Sequence, residues 1–175
     1  MRQIIFLFLP FILSSCGNDP ADISAYMEKL KTGEERAEDV EILYSDSALV
    51  KVRITGTEML TSLDKNKPVQ RFTKGVLVEF FGPGQIIAST LYANYAIREE
   101  RQSKIFFRDS VVWKSVGGDM LETEELVWDE KKEIVYSDRF VVITRPTEKI
   151  WGQGFQSNQD FTNAKINAVG GRVLR

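Results

Sequence analysis

The chain has no histidine, and its single cysteine, Cys16, has nothing to pair with. Those two absences exclude more chemistry than any residue present suggests. Zinc sites built from His and Cys, Ser-His-Asp triads and Cys-His dyads all lack a required side chain. Intramolecular disulfides are excluded too, so a domain here must be held by its apolar core rather than by covalent staples. No phosphate loop of the GxxxxGKS/T pattern occurs and no GxGxxG follows a strand, which removes the common nucleotide sites. No cofactor is expected. A membrane-spanning apolar run is also missing. The block at the start, Ile4 to Leu13, falls well short of the roughly 20 residues a spanning helix needs and carries Pro10 in its middle.

The position of that block explains the lone cysteine. Met1-Arg2-Gln3 supplies one positive charge, the apolar run follows, and Ser14 and Ser15 stand behind it, which is the layout of a secretory signal peptide. Leu13-Ser14-Ser15-Cys16 resembles a bacterial lipobox, where cleavage leaves a lipid-modified cysteine as the first mature residue. A buried, inert cysteine is the alternative. The polar, turn-prone "SSCGNDP" around Cys16 gives it no core to enter. The expected organisation is a lipoprotein signal peptide over residues 1–15, a lipidated N-terminus and tether over 16–39, and one domain over 40–175. Cleavage removes only Arg2 among the charged residues, so the net charge passes from −2 to −3. Neither that balance nor any Lys/Arg block suits nucleic-acid binding. A weakly acidic chain also binds anionic lipid surfaces poorly, so any membrane link falls to the acyl anchor.

From Val40 onward the pattern is that of strands. Ala48, Val50, Val52 and Ile54 alternate with Leu49, Lys51, Arg53 and Thr55, a period of two with charge on one face. "GVLVEFF" (residues 75–81) stops at Gly82-Pro83-Gly84, and "IIASTLYANYAI" (86–97) stops at the charged "REER". "IFFRDSVVWK" (105–114), "MLETEELVWD" (120–129), "EIVYSDRFVVIT" (133–144), "KIWGQGFQS" (149–157) and "AKINAVGGRVL" (164–174) complete the series. No long helical period appears after residue 40, so the domain reads as all-β. There is also an internal repeat. Thr90 and Tyr95 align with Thr123 and Trp128, and "KIFFRDSVV" (104–112) falls on "EIVYSDRFV" (133–141). A hairpin recurring at that interval implies stacked units that share one interior, as in solenoids and open rolls.

These segments, with "VEILYSDSALVKVRITG" (40–56), "LETEELVWDEKKEIVYSDRFVVI" (121–143) and "WGQGFQSNQDF" (151–161), resemble the LptC family of lipopolysaccharide export, in a form anchored by a lipobox. The resemblance implies an open, V-shaped β-jellyroll of two antiparallel sheets whose groove holds the acyl chains of lipopolysaccharide. It implies a periplasmic, lipid-anchored protein, placed at the inner membrane by the family's role. That protein takes lipid from an ABC transporter of the LptB/LptF/LptG type and passes it to LptA by edge-to-edge strand addition. Gly154 falls where the family tends to have a glycine in its last strands, which makes it a candidate assembly position. Candidates for the groove are Val76, Val78, Phe80, Leu91, Tyr95, Phe107, Trp113, Leu126, Trp128 and Phe140, and each is equally readable as sandwich core.

Two other readings stay open. A glycosidase or sugar-binding roll would need two carboxylates facing each other across a cleft. Glu99-Glu100, Glu124-Glu125 and Asp129-Glu130 supply acids, although strand parity puts most acidic residues on the outer face. A structural envelope lipoprotein without a ligand would fill its interior completely.

Overall fold

Alternating apolar residues can bury one face of a strand only if a second layer covers it, and this chain builds that layer by bending its own strands. The computed structural model describes residues 23, 24, 27, 33–64, 66–159, 161–167 and 169–173. The chain divides into Met1–Thr32 and Gly33–Arg175. Cys16 and the expected signal peptide lie outside the described residues. No helix among the described residues is long and apolar enough to cross a membrane.

The second unit contains β1 (Glu34–Asp46), β2 (Leu49–Ser62), β3 (Val69–Phe72), β4 (Val76–Phe81), β5 (Ile87–Ala93), β6 (Tyr95–Glu99), β7 (Lys104–Ser115), β8 (Met120–Asp129), β9 (Ile134–Thr144), β10 (Glu148–Asn158), β11 (Lys165–Ile166) and β12 (Val169–Val173). All their pairings are antiparallel, in one continuous ladder. The pairs fall into two groups with the same neighbour order. In leaf A, 34–38 pairs with 58–62, then β3, β6, 104–108, 125–129, 134–137, 155–158 and β11 follow. In leaf B, 40–46 pairs with 49–56, then β4, β5, 112–115, 120–123, 141–144, 148–153 and β12 follow. The fold is therefore an all-β jellyroll, and the two expected sheets are two leaves of one ladder creased across the middle of every pass.

β1 begins at Glu34, inside the segment read as tether. "EERAED" carries no alternating apolar signal because it lies on an edge and, among the described residues, pairs only with β2.

The crease is where ladder hydrogen bonds are lost, and a buried backbone polar group must find another partner. Asp39, Asp109 and Ser110 take left-handed backbone there (φ 50, 61 and 61), and Gly154 does so at φ 80. Pairing shifts register at Arg108/Val111 and Gln153/Phe155, as bulges do. Gly75 N–H donates to Asn94 O at 2.9 Å and Asn94 N–H to Asp109 O at 3.0 Å, so loop backbone carries the ladder over the bend. Further along, side chains do so. Arg139 N–H donates to Ser137 Oγ (3.1 Å), and Thr123 Oγ1 donates to Phe140 O (3.0 Å). Thr123 has one proton to give, so Ser137 is the donor across the 3.3 Å contact between the two hydroxyls. Gln153 Nε2 closes the row on Asp138 O at 2.6 Å.

At the other end of the crease, Glu58 stands opposite Glu38 in register, an arrangement of like charges that is unfavourable alone. Arg36 Nη2 at 2.5 Å, Lys74 Nζ at 3.1 Å and Thr73 Oγ1 at 2.5 Å surround the Glu58 carboxylate. The Thr73 hydroxyl, then Lys74, hold its pKa below the usual carboxylate value. One acidic side chain thereby ties β1 and β2 to the link between β3 and β4.

Thr123→Val removes the donor to Phe140 O and the acceptor for Ser137 in a buried site. A loss of about 1–3 kcal/mol is expected. It would be read as a lower urea midpoint with an unchanged slope.

Candidate functional site

The inner faces of the leaves meet in one apolar cluster. Val76, Val78 and Phe80 all point inward from β4, with Val52 and Ile54 opposite on β2 and Leu91 opposite on β5. Phe107 faces Leu126, Ile105 faces Trp128, and Trp113 sits between Leu91 and Leu121 in register. Eight of the ten groove candidates thus share one interior: Val76, Val78, Phe80, Leu91, Phe107, Trp113, Leu126 and Trp128.

Tyr95 and Phe140 are not part of it. Phe140 is 53% exposed, and Tyr95 is half-buried opposite Arg108. Tyr95 follows a bend, and Phe140 lies within one. Between Ala93 and Ala96, both buried, the crease inserts two residues, so counting by twos from Ala93 puts Tyr95 on the wrong face. Between Ser137 and Val141, both buried, it inserts three, which keeps the parity, so Phe140 points outward by alternation itself.

At the edge away from the crease, aromatic rings bridge the leaves. Tyr44 of leaf B lies edge-on to Trp128 of leaf A (5.9 Å), and Trp128 lies edge-on to Phe80 of leaf B (6.0 Å). Phe161, in the link after β10, stacks on Trp113 at 4.2 Å and contacts Phe80 and Phe155 at 6.2 and 6.1 Å. Such pairs add about 0.5–1.5 kcal/mol each beyond their buried area. A polar clasp reinforces the Tyr44 side. Its hydroxyl donates to Glu130 Oε1 at 3.0 Å, and Arg98 donates to both oxygens of the same carboxylate at 3.2 and 3.3 Å while lying over the Tyr44 ring. Burial, with the adjacent Glu130 charge, pushes the Tyr44 phenol up to about 12.

On the Phe161 side the mouth is a cleft of about 960 Å³. Phe80, Trp113 and Phe161 make its apolar floor, the Gly82–Gln85 turn forms one wall, and Lys51 and Arg145 stand on the rim. Asp119 is the one acid among its lining residues, and Arg145 reaches it at 3.8 Å and Glu148 at 2.6 Å. A carboxylate pair able to cleave a glycoside is therefore not assembled in this cleft. The indole N–H groups of Trp113 and Trp128, both buried, meet no acceptor among the described residues. Buried donors are usually satisfied, so the one on Trp113, which lines the cleft, is conspicuous.

Tyr44, Phe161 and Arg98 were not among the candidates drawn from sequence, and Glu130 entered there only as one acid of the Asp129-Glu130 pair. Tyr44 was within reach of parity, since Val40, Ile42 and Tyr44 alternate into the core. Phe161 offers no periodic signal, being a single aromatic in the polar stretch "SNQDFTN".

The family model described as lipopolysaccharide-assembly, LptC-related, matches residues 37–169, from β1 through the first residue of β12. No curated protein matches the chain at a significant level.

Because the Tyr44 phenol is raised from 10.0 to about 12, its contribution to stability is complete below pH 10 and is lost as pH rises through 12. Tyr44→Phe should show a shallower alkaline loss of thermal midpoint over that window than the unmodified chain. A spectrophotometric titration should lose one late-ionising tyrosine.

Proposed function

The chain belongs to the LptC-related family of lipopolysaccharide assembly, and from that membership we propose that it carries lipopolysaccharide across the periplasm with the acyl chains between its two leaves. The observation that carries this reading is the unbroken apolar interior, which opens at one end in a cleft with an aromatic floor and a cationic rim. Acyl chains need an apolar, water-excluding slot, and the phosphorylated headgroup of such a lipid needs cations at its lip. The family is one of lipid transport, not of catalysis, and it works in the cell envelope.

In this proposal Cys16 carries the acyl anchor at the inner membrane, beside a transporter of the LptB/LptF/LptG type that supplies the energy. Lipid passes onward to LptA through strand addition. Among the described residues, both outer passes of the ladder have one unpaired edge: β1 pairs only with β2, and β11 and β12 pair only with β10. An open edge is a template for a strand of another roll. The close packing of the interior favours a second reading, a structural lipoprotein without ligand.

Photocrosslinking in cells separates the two. With benzophenone side chains at Phe107 or Trp128, lipopolysaccharide adducts are expected, and none at Phe140 or Lys131, which face water. No adduct at the interior positions of a folded protein would leave the ligand-free reading.

Gly154 enters as an assembly position. At φ 80 any side chain is strained, and an added Cβ would lie 3.0 Å from Asn167 Nδ2, in the link between β11 and β12. Gly154→Arg should therefore displace that edge pass. Reduced co-purification of LptA with unchanged secretion is the expected result.

A further inference from the structure

Phe161 differs from every other member of the buried apolar cluster: the rest sit on strands and are fixed by the ladder, whereas Phe161 sits in the link between β10 and β11. Its backbone is left-handed (φ 59), a conformation that aromatic residues rarely adopt and that surrounding structure must hold. Asn158 is what holds it. The Asn158 carbonyl accepts from Phe161 N–H at 2.9 Å, its Nδ2 donates to Thr162 Oγ1 at 2.7 Å, and its Oδ1 accepts from Asn163 N–H at 2.9 Å. Those bonds lie at an exposed loop where water can replace them. Withdrawing the ring would break no rung of the ladder.

We propose that Phe161 is a displaceable plug: its ring occupies the slot that the first acyl chain takes, so loop and lipid exclude each other. The proposal rests on the lipid-carrier reading and adds to it a gate. The ring is the right shape for a stand-in, a flat apolar group stacked on Trp113 and touching Phe80 on the floor of the cleft. The polar chemistry agrees independently. Trp113 is 6% exposed and its Nε1–H is without an acceptor among the described residues. An acyl chain brings an ester or amide carbonyl at its head, which is an acceptor of the kind that donor lacks. Lys51 and Arg145 on the rim then stand on the headgroup side, where phosphate oxygens would lie.

A plug lowers apparent affinity by the fraction of time it is withdrawn, so disabling it raises affinity without any new contact. The test uses the full-length chain in phospholipid nanodiscs and purified, fluorescently labelled lipopolysaccharide, with circular dichroism and thermal midpoint as checks of folding. Phe161→Ala and Asn158→Ala should each bind on the order of tenfold more tightly and load faster. Asn158→Ala replaces no residue that lines the cleft and keeps the ring, so its gain cannot come from a cavity newly carved in the floor. Phe161→Leu, a milder change, serves if the alanine variant does not fold. Trp113→Phe should bind severalfold more weakly in the Asn158→Ala background, where the slot is open. Binding by the unmodified chain with no gain in Asn158→Ala would overturn the plug and leave the carrier reading standing. An absence of binding in every form would overturn both.

Discussion

The crease is the constraint on which the rest of this domain depends. An antiparallel ladder can turn back over itself only if every pass bends at the same level, and each bend forfeits hydrogen bonds that a buried backbone cannot leave unmade. The chain meets that requirement differently along the row. Left-handed aspartates and a glycine turn the backbone, Asn94 bridges two neighbours through its main chain, and Thr123 with Ser137 replaces missing rungs with hydroxyls. Glu58 does it with charge, gathering Arg36, Lys74 and Thr73 around one carboxylate. Because the bends align, the inward faces on either side of them confront each other, and a single sheet acquires a two-layered core.

That origin explains which parts were legible in the sequence. Within each half-pass the alternation is clean, so the strands, their all-β class and most of the interior could be read from Val76, Val78, Phe80, Leu91 and their like. The repeat that aligned residues 104–112 with 133–141 was also real structure: those segments are β7 and the first part of β9, both bent at the same place in the motif, at "RDS" and "SDR". What parity could not supply was the phase after every bend. Inserted residues at 94–95 reset the face and put Tyr95 outside the core, whereas Val135, Ser137, Val141 and Ile143 keep one parity through the β9 bend and leave Phe140 outward by alternation alone. The charged edge pass at 34–39 was hidden for the opposite reason, since a strand with one partner and an exposed face carries little apolar signal.

The two rims away from the crease differ in chemistry. Turns at the leaf A rim carry Glu100, Arg101, Lys131, Lys132 and Glu133, all exposed. Turns at the leaf B rim carry Ile86 and Val116, 70% and 77% exposed, in adjacent hairpins joined by the Val116 N–H bond to Ala88 O. The clasp made by Tyr44, Glu130 and Arg98 joins the leaves on the β1 side, and the cleft opens on the other. The mouth is thus lopsided, with a polar latch on strand-borne residues and an aromatic closure on a loop.

On the lipid-carrier proposal, energetics then decides how such a molecule would admit a lipid. Burying one Val, Leu or Phe side chain is worth about 1.5–3 kcal/mol, so parting the leaves along their length would cost several tens of kcal/mol. A domain of this size is stable by only about 5–15 kcal/mol in total. Wholesale opening is unfolding. Access must therefore be local and progressive, each apolar group uncovered being covered at once by an acyl methylene, with the crease and its hydroxyl bridges intact throughout. Such a path begins where the fewest rungs and the least area are committed, which is the loop-borne ring over Trp113 rather than the strand-borne clasp at Tyr44. On that proposal the edges of the ladder stay free while the interior fills, so loading and docking would draw on separate parts of one sheet.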